Sequence, residues 1–99
     1  MFDAVGPLYT QSVSATTASG IPAANIPAGA RYAEGFCRGD VALTTDGSTT
    51  PTSALGQQAA SGDTIILRSR EELRKYSGIG VSVDTTIDWE FYNSNPDLE

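Results

Sequence analysis

One stretch of the chain alternates without interruption between apolar and polar residues, TTIDWEFY at Thr85–Tyr92. Every second position holds a large apolar side chain, namely Ile87, Trp89 and Phe91. The positions between them are polar, namely Thr86, Asp88 and Glu90. Because successive side chains of a strand point to opposite faces, the pattern predicts a strand with one face on a core and the other in water. Trp89 is therefore predicted to be a core residue.

Shorter strand patterns precede this one and are separated by turns rich in Gly, Pro, Asp and Ser. They lie at Tyr9–Ala15, 30–37, 41–45, Leu55–Ala59 and Thr64–Arg68. Gly39 is expected to turn the chain so that 30–37 and 41–45 form a hairpin. The run Thr64–Arg68 is the most apolar of the chain and is expected to be a central strand, whereas Leu55–Ala59 is expected to be a short edge strand.

One helix is predicted between Ser69 and Tyr76. Ser69 is a favourable N-cap, and Glu72 occupies the third helical position, as in a capping box. Acidic residues in the first turn and basic residues in the last complement the helix dipole. With six or seven short strands beside this helix, the sequence predicts an all-β fold, a small antiparallel β-sandwich or barrel with one short helix.

The 99 residues are expected to form one domain at 9–92, since two cores would each fall below the usual domain size. Residues 1–8 and 93–99 lack a strand pattern and are predicted to be extended N- and C-terminal arms, with disordered termini as the alternative. The loop at 16–29 is expected to be pinned across one end of the core by two isoleucines. Arms of this kind are commonly ordered by a partner. The candidate partner-binding residues are Phe2, Val5, Leu8, Ile21, Ile26 and Leu98.

Composition excludes several classes of function. The chain has 12 acidic and 6 basic residues, a formal net charge of −6, no histidine and one cysteine. The charge disfavours binding to a nucleic acid backbone, and the missing histidine removes Ser-His-Asp and Cys-His catalysis as well as histidine-ligated metals. No stretch reaches the roughly 18 apolar residues of a membrane span, and no secretory signal is expected. Cys37 is expected to be a small buried hydrophobe.

Three groups of acidic residues invite a functional interpretation, and each has a simpler structural one. Glu71 and Glu72 point about 100° apart on a helix, which suits capping and dipole roles better than paired catalysis. Two carboxylates on the outer face of the last strand, Asp88 and Glu90, fall short of the six or more oxygens that Ca²⁺ prefers. Asp46 with its following threonines fits an Asx turn as well as an ion site. No catalytic residue, metal ligand or cofactor is therefore predicted, and the protein is not expected to be an enzyme.

Two further motifs resemble ligand-binding signals. The aromatic residues Tyr32, Trp89 and Tyr92 suggest a platform for stacking a sugar, although Trp89 is in register with the predicted core. Arg38-Gly39-Asp40 matches the integrin-binding tripeptide. Three-residue matches arise by chance, and here the glycine serves the predicted turn, so adhesion is not expected.

Three stretches within residues 9–92 form an ordered series. The first runs from ARYA at 30–33 through VAL at 41–43 to DG at 46–47. The second contains TPT at 50–52, a glycine at 56 and GDTIIL at 62–67. The third contains EL at 72–73, Tyr76 and Ile79, and closes on IDWEFY at 87–92. In this order and spacing the chain resembles a group of small virion-associated proteins of tailed bacteriophages.

The resemblance implies a non-enzymatic β-sandwich component of the virion, made in the host cytoplasm. The first expectation is a capsid cement or decoration subunit that binds and stabilises the assembled head shell. Its partners would be the major capsid protein or other virion structural proteins, and it would form a homo-oligomer, with no nucleic acid or membrane partner. One alternative is a neck, collar or tail component, and another is a glycan-binding β module.

Overall fold

The computed structural model of the chain describes residues 6–93, which form seven strands, one α-helix and one 3-10 turn. The strands are β1 (Tyr9–Val13), β2 (Tyr32–Cys37), β3 (Val41–Thr44), β4 (Gln57–Ala59), β5 (Thr64–Leu67), β6 (Ser77–Gly80) and β7 (Thr85–Tyr92). The helix α1 spans Arg70–Lys75, and the 3-10 turn spans Ala23–Asn25. Three of the six candidate partner-binding residues, Phe2, Val5 and Leu98, lie outside the described residues.

The strands form two antiparallel sheets. The four-stranded sheet has the order β1-β7-β2-β5, and the three-stranded sheet has the order β4-β3-β6. The core cluster takes side chains from both sheets, including Val41 and Leu43 from β3 and Ile87 and Phe91 from β7. The predicted small all-β sandwich with one short helix is thus confirmed.

Strand β7 is central to the larger sheet because it pairs with β1 on one side and β2 on the other. Trp89 is completely buried, as the sequence predicted. It lies directly opposite Gly35 on β2. A Cβ atom at Gly35 would lie 2.6 Å from the tryptophan ring and 2.8 Å from Ile87. Gly35 therefore leaves the space in which the tryptophan ring packs.

The loop between β1 and β2 closes one end of the core. Ile21 and Ile26 are buried members of the core cluster, so they do pin this loop as expected. As candidate partner-binding residues they offer little exposed surface, because their apolar side chains are buried within the chain. The physical reason is that a loop of small and polar residues needs a few large apolar side chains to attach it to the core.

The predicted hairpin between β2 and β3 is wrong. Both sides of β2 are occupied, by β7 and by β5, so β3 pairs instead with β4 and β6 in the other sheet. At the corner, the Arg38 N–H donates to the Thr86 carbonyl at 3.1 Å, which keeps the end of β2 on β7. The Gly39 turn therefore carries the chain from one sheet to the other.

Strand β5 lies at an edge of its sheet and not at the centre. It pairs with β2 alone in the strand order. Its side chains alternate, since Ile65 and Leu67 are buried whereas Thr64 and Ile66 are exposed. The apolar run predicted a central strand that is buried on both faces, but every second side chain of the run faces solvent. Strand β4 is an edge strand, as predicted.

Helix α1 begins as the sequence predicted. The Ser69 Oγ accepts a hydrogen bond from the Glu72 N–H at 3.1 Å, and Glu72 Oε1 accepts one from the Arg68 N–H at 2.7 Å. Leu73 is buried and attaches the helix to the core. In the described part of the chain, no helix is long and apolar enough to cross a bilayer.

One polar side chain, Gln11 of β1, is buried in the core. Its Oε1 accepts hydrogen bonds from the Tyr76 hydroxyl at 2.9 Å and from Trp89 Nε1 at 3.0 Å. Its Nε2 donates to the carbonyl of Ser19 at 3.0 Å. Since a buried polar group is costly unless it is hydrogen-bonded, this network fixes how β1, β7, the 16–29 loop and the end of α1 fit together.

Candidate functional site

The outer face of the four-stranded sheet is the candidate site. It carries the side chains that alternate with those of the core, and the strand register places them in rows across the sheet. One row contains Thr10, Asp88, Phe36 and Thr64. The next contains Glu90, Glu34 and Ile66. The four strands of this sheet are joined by backbone hydrogen bonds, so the face is rigid. Such a face suits a surface that binds a partner in one orientation.

Apolar side chains are exposed on this face. The exposed fractions are 57% for Leu8, 43% for Phe36 and 40% for Ile66. Leu8 and Phe36 line a groove of about 330 Å³ together with Glu34, Arg38 and Asp88. Single exposed apolar residues are ordinary on protein surfaces, but a group of them beside a groove indicates an interaction surface.

The charged groups in the middle of the face are ordered by one another. The Arg38 guanidinium contacts Asp88 Oδ2 through Nη2 at 2.5 Å and through Nε at 3.1 Å. Thr10 Oγ1 donates to the other carboxylate oxygen at 2.9 Å. The Arg38 hydrogen bond, followed by that of Thr10, lowers the pKa of Asp88. Arg38 also lies over the Phe36 ring, 5.0 Å from its centroid, so the aromatic ring is held under a cation.

Two carboxylates lie opposite each other on neighbouring strands. Glu34 of β2 pairs in register with Glu90 of β7. Tyr32 donates its hydroxyl to Glu34 Oε2 at 3.1 Å, and Tyr92 donates its hydroxyl to Glu90 Oε1. The Glu90 hydrogen bond raises the pKa of Tyr92. Like charges placed opposite each other destabilise a sheet, so a basic group from outside the chain would be favoured at this position.

Of the predicted partner-binding residues, Leu8 lies on this surface. Phe36 and Ile66 complete the apolar part of the face, and sequence reasoning missed both. The alternation in 30–37 placed Phe36 on the same face as Tyr32, but nothing in the local pattern stated that this face points outward. The exposure of Ile66 could not be predicted, because its apolar neighbours indicated a strand buried on both faces.

The aromatic residues do not form an exposed sugar platform. Trp89 is completely buried and Tyr32 is buried, while Tyr92 is half-buried. The rings of Tyr32 and Tyr92 pack against each other at a tilt, with centroids 5.7 Å apart. Stacking on a sugar needs an open aromatic face, which Trp89 does not offer.

The Arg38-Gly39-Asp40 tripeptide is engaged within the chain. Arg38 is paired with Asp88, and Asp40 Oδ1 accepts a hydrogen bond from the Ser61 N–H at 2.9 Å. A Cβ at Gly39 would lie 2.6 Å from the Thr85 hydroxyl, so the turn packs closely against β7. Both charges of the tripeptide therefore serve the corner between the two sheets.

The remaining candidate groups have structural roles. Asp46 forms the predicted Asx turn: Oδ1 accepts from the Ser48 N–H at 3.0 Å and from the Thr49 N–H at 2.9 Å, while Oδ2 accepts from Thr49 Oγ1 at 2.6 Å. Cys37 is buried as predicted, and burial raises the pKa of its thiol to about 11. Among residues 6–93, no three His, Cys, Asp or Glu side chains are grouped as metal ligands.

Comparison of the chain with protein family models, with curated proteins and with solved structures finds no match.

Proposed function

We propose that the protein is a non-enzymatic structural subunit of a bacteriophage virion, which binds the assembled head shell and stabilises it. The observation that supports this proposal is the outer face of the four-stranded sheet, where Leu8, Phe36 and Ile66 are exposed beside ordered charges. The order of sequence motifs that resembles small virion-associated proteins supports the same role.

The chemistry of the face favours binding over catalysis. Its central charges, Arg38 and Asp88, neutralise each other, and the pKa of Asp88 is lowered, so this carboxylate is a poor proton acceptor near neutral pH. The thiol of Cys37 is buried with a raised pKa, which makes it a poor nucleophile. What the face offers instead is apolar area on a rigid support.

The face also defines the partner surface that would fit it. An apolar projection would enter the groove between Leu8 and Phe36, and basic side chains would approach Glu34 and Glu90. The net charge of −6 extends this preference to the whole chain, since opposite potentials steer association. We therefore take the partner to be the major capsid protein, through an outward surface with apolar and basic residues.

The proposal is tested by sedimentation of the full chain with purified head shells of the phage that encodes it. Phe36→Ser should weaken binding by about 30-fold or more, as expected for a buried aromatic anchor. Val83→Ser is the matched control, because Val83 is also exposed, at 68%, but lies in the turn before β7 and not on the outer face. Equal binding of the two variants, or no binding of the wild-type chain to shells, would refute the proposal.

Copy number separates the shell from other positions in the virion. A protein bound throughout an icosahedral shell should be present in hundreds of copies, whereas a ring at the neck or tail holds about a dozen or fewer. Quantitative gel analysis of purified particles measures this number. A low copy number would contradict binding to the shell and would favour a neck, collar or tail component instead.

A further inference from the structure

Strand β5 has one paired side and one open side. The Cys37 N–H donates to the Asp63 carbonyl at 2.9 Å, so this pair stands at a hydrogen-bonded position of the ladder, and the Cys37 carbonyl accepts the Gly62 N–H at 2.8 Å. Along an antiparallel ladder such pairs alternate with pairs that do not share hydrogen bonds. Ile65 and Leu67 therefore direct their backbone groups to β2, and Thr64 and Ile66 direct theirs away from it.

The open stretch is bounded at both ends. Beyond β5, the Arg68 N–H is occupied by Glu72 Oε1 at 2.7 Å. Before it, the Gly62 N–H is occupied by the Cys37 carbonyl at 2.8 Å. Across residues 6–93, no hydrogen bond is found to the outward backbone groups of Thr64 and Ile66. Two N–H and two C=O groups thus remain available on this edge.

The edge is accessible, and its strand lacks the side chains that commonly protect an edge. A groove of about 290 Å³ runs beside it, between β5 and the exposed residues Gln57 and Gln58 of β4. Edge strands commonly carry lysine, proline or a bulge that prevents pairing with another chain. Strand β5 reads TIIL, without lysine or proline, and the side chain of Ile66 is exposed beside the open groups.

We propose that the β5 edges of two copies of this chain pair with each other about a two-fold axis that passes beside Ile65. In that register Thr64 of one copy lies opposite Ile66 of the partner subunit, and Ile66 lies opposite Thr64 of the partner subunit. Each pair exchanges two hydrogen bonds, so all the open backbone groups of both copies are satisfied. The two four-stranded sheets become one continuous sheet of eight strands.

The extent of the open stretch favours a second copy as the occupant. A two-fold interface brings the same patch together from both subunits. The open stretch ends where the Gly62 N–H donates to the Cys37 carbonyl and where the Arg68 N–H donates to Glu72 Oε1. A second copy in this register offers two N–H and two C=O groups over the same length, so no open group of either strand is left without a partner. The inference does not depend on what the outer face binds.

The test is the mass of the full chain in solution, measured by analytical ultracentrifugation over a range of concentrations. The wild-type chain should reach twice the 10.4 kDa of one copy. Ile66→Pro should weaken dimerisation at least about tenfold, because proline lacks the N–H that the partner uses while the inward bonds of Ile65 and Leu67 are kept. Ile66→Thr, which retains the N–H, is the matched control and should still dimerise.

Hydrogen exchange of the wild-type chain provides a measurement that needs no variant. The amides of Thr64 and Ile66 should exchange more slowly as the concentration rises, whereas the Ile65 amide should not change. A monomer at all concentrations, or a dimer in which the Thr64 and Ile66 amides stay unprotected, would overturn the proposal. A dimer lost in Phe36→Ser but retained in Ile66→Pro would also overturn it, since the outer face would then be the interface.

Discussion

The buried Gln11 side chain gives the sharpest test of how this fold is held together. Replacing it with leucine keeps a similar volume but removes the acceptor that Tyr76 and Trp89 share. Both of those donors are buried, so water would not replace the lost acceptor. The Ser19 carbonyl is less affected, because it also accepts the Gly78 N–H at 2.8 Å.

The magnitude follows from the number of donors left without a partner. Each buried donor without an acceptor costs about 1–3 kcal/mol, so the pair costs about 2–6 kcal/mol. Burying an apolar side chain in place of the amide offsets about 1 kcal/mol of this. Gln11→Leu should therefore lower the free energy of unfolding by about 1–5 kcal/mol, a large part of the stability of a small domain.

A second substitution distinguishes this mechanism from a loss of packing. Tyr76→Phe alone should cost about 1 kcal/mol, because one hydrogen bond is lost while Gln11 keeps its bond to Trp89. In the Gln11→Leu background the same substitution should restore about 1–3 kcal/mol, because it removes one of the two unpaired donors. The effect of Tyr76→Phe thus changes sign between the two backgrounds.

Urea unfolding followed by the fluorescence of Trp89, the single tryptophan, measures all four members of this cycle. Ser12→Ala is the control, because Ser12 is the exposed neighbour on the same strand and its replacement should change stability by no more than about 0.5 kcal/mol. Costs that simply add in the double variant, or an unchanged midpoint for Gln11→Leu, would refute the reasoning.

Three further predictions address single residues. Gly35→Ala should destabilise the fold by about 1–3 kcal/mol and shift the Trp89 emission, because the new methyl group would lie 2.6 Å from the ring; an unchanged melting curve and emission spectrum would contradict the packing described for Gly35. Hydrogen bonds from Thr49, and then from Ser48, lower the pKa of Asp46 to about 2, so its contribution to stability should be complete above the unfolded value of about 3.8 and be lost as the pH falls through about 2. NMR titration of the Asp46 carboxyl measures this midpoint, and a midpoint near 4 would contradict the Asx turn. Cys37 should resist a thiol reagent at pH 8 until the protein unfolds, because its thiol is buried with a pKa of about 11; rapid labelling of the folded chain would show that the thiol is accessible.

The sequence predicted correctly those features that depend on residues close together in the chain. The capping of α1 by Ser69 and the turn at Asp46 involve atoms a few residues apart, and both formed as the sequence indicated. The buried face of β7 was equally clear, because alternation over Thr85–Tyr92 leaves one choice of inward side. The hairpin expected at Gly39 failed because β2 is paired on both sides with strands distant in sequence.

The candidate site depended on the same distant pairings. The exposure of Phe36 follows from which side of β2 faces β3 and the core, and the exposure of Ile66 follows from the edge position of β5. A pattern of apolar residues within a few positions does not contain that information. The sequence indicated where apolar side chains recur, but not which of them the second sheet would cover.

By itself, the sequence determined the all-β class, the helix start, the buried face of the last strand and the acidic character of the surface. These properties arise from residue type and short-range periodicity, which act before distant strands meet. Only the tertiary structure decided the strand order, the outer face of Leu8, Phe36 and Ile66, and the open edge of β5. Those features depend on hydrogen bonds and packing between segments far apart in the chain. The partner of each strand is set by the relative stability of all the possible pairings, which no local pattern contains.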